Sequence, residues 1–147
     1  EVAHTTHSPQ ALGRFTGWMR QQLSLVALVV PSYDEGIACY CGALGFDLLE
    51  DTDRGGGKRW VRVAPPGSVG AALLLAEADG PAQEAAIGTV AGGRVGLFLS
   101  TDDFWRDHAR YVAAGVEFEE EPRVEEYGTV AVFRDPLGNR WDLIEPA

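Results

Sequence analysis

The sequence predicts an α+β domain made of two βαβββ modules whose strands form a curved mixed sheet around a cleft. Three observations carry that expectation. The same order of strand and helix signals occurs twice, over residues 23–77 and 94–146. A chain of 147 residues suits one core and is short for two independent domains, so residues 19–147 are expected to form a single domain. A content of 46% apolar and 23% charged residues is that of a globular chain.

The first module opens on "LSLVALVVP", a Leu- and Val-rich run that reads as a buried strand. In "SYDEGIACYCGALGF", Ser32 or Asp34 can cap a helix with Ile37, Tyr40, Cys41 and Leu44 on its apolar side, and Gly45 can end it. Strands "FDLLEDT", "KRWVRVA" and "AALLLAE" follow, separated by the turn formers "DRGGG" and "PPGSVG".

After the linker "ADGPAQEAAIGTVAGG" the order returns. "RVGLFLST" reads as a strand, and "DDFWRDHARYVAAG" as a helix capped by Asp102 or Asp103 and stopped at Gly115. "VEFEE", "TVAVFR" and "RWDLIE" complete the module. Alternation sorts each strand by face. Leu97 and Leu99 suit helix packing and leave Phe98 opposite; Trp141 and Leu143 leave Arg140, Asp142 and Ile144 facing the cleft.

A net charge of −10 and a pI near 4.6 argue against nucleic acid, whose binding rests on clustered Lys and Arg, and favour a cationic ligand. No apolar run reaches the roughly 20 residues of a membrane-spanning helix. The start lacks the pattern of a secretory signal, so a cytoplasmic location is expected. Cys39 and Cys41, two apart on a helix, point to different faces and read as free thiols. Residues 1–18, with His4 and His7, read as a flexible extension; His108 lies mid-helix, outside the sheet.

The first strand, the helix "DEGIACYCGALGF", the second helix ending at Gly115 and the turn and strand "RDPLGNRWDLIEP" together resemble the vicinal oxygen chelate superfamily. That superfamily includes glyoxalase I, extradiol dioxygenases, fosfomycin-resistance enzymes and bleomycin-resistance proteins. The resemblance spans about residues 23–146. It implies the fold, while the reaction stays open, because the same scaffold serves several chemistries and simple sequestration.

Metal-dependent members hold a divalent ion such as Zn, Ni, Mn or Fe with His, Gln or Glu on the first and last strands of each half. By that resemblance the four places fall at about Leu25, Leu74, Gly96 and Asp142. Only Asp142 is a ligating type. One carboxylate makes no useful site, so no cofactor is expected. Metal binding by Asp142 with Glu77, in a divalent-metal-dependent lyase or dioxygenase, is the alternative.

The leading expectation is therefore metal-free binding of a small organic molecule by a homodimer of the bleomycin-resistance type, with Trp60, Arg62, Phe98, Tyr127, Arg140 and Asp142 as cleft residues. Asp142 is a weak catalytic candidate, with no second catalytic residue beside it. Its commonest alternative fate is an ion pair with Arg62 or Arg140. Asp135 reads as an anchor of the "DPLGN" turn, Phe104 and Trp105 as packing residues, and the glutamates at 117, 119, 120, 121, 125 and 126 as a solvated edge.

Overall fold

A computed structural model describes residues 19–147. The expected extension at residues 1–18, with His4 and His7, lies outside the described residues. The first module consists of β1 (Leu25–Val30), α1 (Tyr33–Ile37) continuing as a π-helical stretch over Ala38–Ala43, β2 (Asp47–Gly55), β3 (Lys58–Ala64) and β4 (Ala72–Glu77). Its strands form a sheet in the order β1-β4-β3-β2, with β1 parallel to β4 and the other pairs antiparallel.

Between the modules lie α2 (Pro81–Ala86) and a 3-10 turn (Val90–Gly93), where the sequence predicted only a linker. Pro81 opens α2, but six residues are too few for a helical period to register. The second module comprises β5 (Val95–Ser100), α3 (Phe104–Ala113), β6 (Glu117–Phe118), β7 (Arg123–Glu125), β8 (Gly128–Arg134) and β9 (Arg140–Pro146). Its sheet runs β5-β9-β8-β6, β5 parallel to β9, with β7 also on β8. The predicted strand over 116–120 shrinks to two residues, and β7 is additional.

The helix starts follow the capping chemistry. The Ser32 hydroxyl accepts from Glu35 N and donates to the Glu35 carboxylate, a reciprocal cap. Asp103 accepts from Arg106 N. Of the two candidates offered at each helix, Ser32 and Asp103 are the caps.

A single core joins the modules. It takes Leu28, Val30, Val61, Val63, Leu73 and Leu75 from the first sheet, Leu99, Ala131, Phe133, Trp141 and Leu143 from the second, and Tyr40, Phe104 and Tyr111 from the helical segments. Trp141 meets Tyr40 and Phe46 with ring centroids 6.3 and 5.8 Å apart, so the second sheet packs on the first module's helix. At the β8–β9 turn Asp135, almost wholly buried, accepts from Tyr40 Oη (2.7 Å) and Trp141 Nε1 (3.0 Å) on one oxygen, and from Leu137 N and Asn139 N on the other. Asp135 is the expected turn anchor and also ties the turn to the other module. Phe104 is fully buried, whereas Trp105 is exposed. Cys39 is buried and Cys41 half-buried, both free thiols. No helix among the described residues is long and apolar enough to cross a membrane.

Candidate ligand-binding site

Because both helix-covered faces share that core, the opposite face of each sheet is turned away from it. On the first sheet this open face carries Trp60 and Arg62, alternating with the buried Val61 and Val63. A bulge between Leu48 and Glu50 brings Glu50 opposite Arg62. Arg62 Nε donates to Glu50 Oε1 at 3.0 Å, and Thr52 Oγ1 to Glu50 Oε2 at 2.8 Å; the bond from Arg62, then that from Thr52, holds Glu50 below the usual carboxylate range. Arg54 lies 5.8 Å from the Trp60 ring centroid, a cation–π distance.

On the second sheet, Phe98 of β5 and Asp142 of β9 are direct cross-strand partners, and Val132 of β8 follows in the same row. Phe98 is 69% exposed, a large value for a phenyl ring in mid-strand. Asp142 Oδ1 is shielded from solvent and accepts no hydrogen bond. Burial raises the Asp142 pKa, an effect opposed by the Arg123 charge and reinforced by Glu120.

The ion pair expected between Asp142 and Arg62 or Arg140 does not form. Arg62 is taken by Glu50, in the other sheet, and Arg140 grips both oxygens of Glu119 at 2.8 and 2.9 Å. Glu119 also pairs with Arg134, while Arg123 is held by Glu120 and Glu125. Glu119 and Glu120 are therefore structural ties rather than only a solvated edge. Tyr127 is exposed at the β7–β8 turn, where Gly128 is level with Pro146, four residues along β9 from Asp142 or about 13 Å. The structure thus unites Phe98 with Asp142 and Trp60 with Arg62. Tyr127 and Arg140 stand apart in position or commitment.

Three hollows adjoin these faces. A groove of about 570 Å³ is lined by Val26 of β1, the loop at residues 65–71, Phe98 of β5 and the rings of Phe46 and Trp141. A smaller one of about 320 Å³ lies against Arg62, Leu49 and Val69. A third, of about 550 Å³, sits between the modules, where Asp102 and Asp107 accompany Arg106 and Arg110. The first has the exposed aromatic wall and apolar rim suited to an organic ligand.

Glu77 shares its side of β4 with Leu73 and Leu75, opposite to Leu74, and belongs to a different sheet from Asp142. Among the described residues no three His, Cys, Asp or Glu side chains gather into a group that could hold an ion. The places assigned to metal ligands by resemblance hold the hydrocarbon side chains of Leu25 and Leu74 and the bare backbone of Gly96. Such residues do not fit a divalent ion, which needs several oxygen, nitrogen or sulfur donors.

Two βαβββ halves sharing a helix-lined core, with open outer sheet faces, define a glyoxalase-like scaffold. A model of the Glyoxalase/Bleomycin resistance protein/Dioxygenase superfamily matches residues 22–143, and the chain belongs to that superfamily. Its solved relatives include UcmS2, 30% identical over 86% of this chain and 99% of that one, with a TM-score of 0.74. Another is TnmS3, an antibiotic binding protein from Streptomyces sp. CB03234, 32% identical over 88% of this chain and 98% of that one, TM-score 0.69. An uncharacterized protein of Shewanella frigidimarina is 54% identical over 128 residues, 86% of this chain and 95% of that protein.

Proposed function

We propose that the protein binds a small organic molecule, without a metal ion, between open sheet faces of two copies of the chain. The observation that carries this reading is the exposed Phe98 ring beside the unpartnered carboxylate of Asp142, on the face where metal-dependent relatives direct their ligands. Leu25, Leu74 and Gly96 at the other three places support a metal-free role. The likeness to TnmS3, described as an antibiotic binding protein, supports a ligand of that general class. Aromatic side chains offer broad apolar contact and a few polar groups fix orientation.

The test is titration of metal-stripped protein, in the presence of chelator, with a panel of planar aromatic compounds, followed by calorimetry. Stoichiometric binding without consumption of the compound is expected, weakened about tenfold or more in Phe98→Ala. The competing reading, a divalent-metal-dependent lyase or dioxygenase, draws on Asp142 standing at the one place that keeps a ligating type. Tight uptake of one Zn, Ni, Mn or Fe(II) per chain, lost in Asp142→Ala, would favour it over sequestration.

A further inference from the structure

We infer that Phe98 and Asp142 form a subsite for the cationic N–H group of a planar aromatic ligand, an inference that rests on the binding role proposed above. Around Asp142 the open face holds four carboxylates, Glu119, Glu120, Glu125 and Asp142, against three guanidiniums, Arg123, Arg134 and Arg140. Each arginine is committed to a glutamate: Arg140 and Arg134 to Glu119, Arg123 to Glu120 and Glu125. Arg62 is committed to Glu50 on the other sheet. Asp142 is the carboxylate left over, and none of the described hydrogen bonds reaches it.

A shielded acceptor without a donor is costly to keep unless something supplies the missing bond. The donor has to come from outside the chain's own set of cations. Phe98 sets its geometry. As cross-strand partners the two residues stand about 4.8 Å apart along the hydrogen-bonding direction, on one face of the sheet. A flat ring system lying on the exposed phenyl face therefore carries an edge substituent to the carboxylate. The terminal torsion of Asp is broad, so rotation presents either oxygen to the incoming donor. A positively charged substituent gains a charge-assisted bond to Asp142 and attraction from the Phe98 ring face. A neutral isostere gains only the stacking.

The experiment compares two isosteric probes, 9-aminoacridinium and neutral 9-acridone, by fluorescence titration of the full chain and of Asp142→Asn, at low and high salt. In the unsubstituted protein the cation is expected to bind about ten- to a hundredfold more tightly than acridone. Asp142→Asn, of nearly the same shape, should collapse that ratio towards one. Because a bond inside the face is screened less than the overall acidic charge, most of the preference should survive high salt. Equal affinity for both probes overturns the subsite while leaving the binding role standing. A preference that persists in Asp142→Asn and vanishes in salt also overturns it, by assigning the effect to net charge. Failure of both probes to bind the unsubstituted chain overturns the subsite as well, and failure of the whole planar aromatic panel defeats the binding role itself.

Discussion

Asp135 and Asp142 are the same residue type seven positions apart, and their surroundings give them opposite roles. Asp135 has donors on both oxygens from Tyr40, Trp141, Leu137 and Asn139. Asp135→Asn replaces one acceptor oxygen by an NH2 group that faces existing donors, and should cost about 2–4 kcal/mol, read as a lower midpoint in urea unfolding. Asp142 has a shielded oxygen with no donor. Because burial raises its pKa, the folded chain keeps this proton at a pH where the unfolded chain has lost it. Its contribution to stability is therefore most favourable in acid and declines as pH rises through the raised value. Asp142→Asn cannot ionise and so removes the cost of burying that charge, although its amide leaves the shielded position without a partner; it should be the more stable chain near neutrality. The gain should fade as pH falls towards the ordinary Asp pKa of about 3.9. Unfolding curves of both chains across that range check the sign.

At the scale of elements, alternation in the sequence placed Arg62, Phe98 and Asp142 on open faces, and the capping residues marked the starts of α1 and α3. Partner choice was not legible. Arg62 finds Glu50 through a bulge that shifts the β2–β3 hairpin register, and Arg140 finds Glu119 across β8, a pairing set by strands that are not consecutive in the chain. The strand β7, with a single apolar residue between charged ends, is too short for its alternation to register. Nor did the linker announce how it docks. Val90 N donates to Asn139 Oδ1 at 3.0 Å, and Gly88, with φ +76°, lies so close to the "DPLGN" turn that an added Cβ would stand 2.3 Å from Leu137 O. Gly88→Ala combines backbone strain with that clash and should cost about 2 kcal/mol or more. Gly80→Ala, also at positive φ but in open space, should cost only about 1 kcal/mol. A larger loss of thermal stability for Gly88→Ala than for Gly80→Ala is the expected outcome.

At the scale of the whole molecule, the shared core decides how a cleft can be built. One chain turns its open faces away from that core, so Trp60 and Arg62 of one sheet do not share a hollow with Phe98 and Asp142 of the other. The edge strands β1, β2 and β5 are each unpaired on one side, and Val26 on β1, Leu48 and Leu49 on β2 and Phe98 on β5 leave apolar surface exposed there. Such edges and patches are commonly covered by association, and two-fold pairing of identical chains is the simplest closure. In the dimer proposed above, the first module of one chain would face the second module of its partner across each cleft. This arrangement makes a prediction that pairing within one chain does not share. Trp60→Ala and Asp142→Asn, each defective in a different module, should bind 9-aminoacridinium poorly when purified alone. Mixed and allowed to exchange subunits, half of the dimers become hybrids in which one cleft collects both defects and the other collects none. Binding should then return to about a quarter of the clefts. If each cleft were instead built from one chain, every cleft in the mixture would keep its defect and no binding would return.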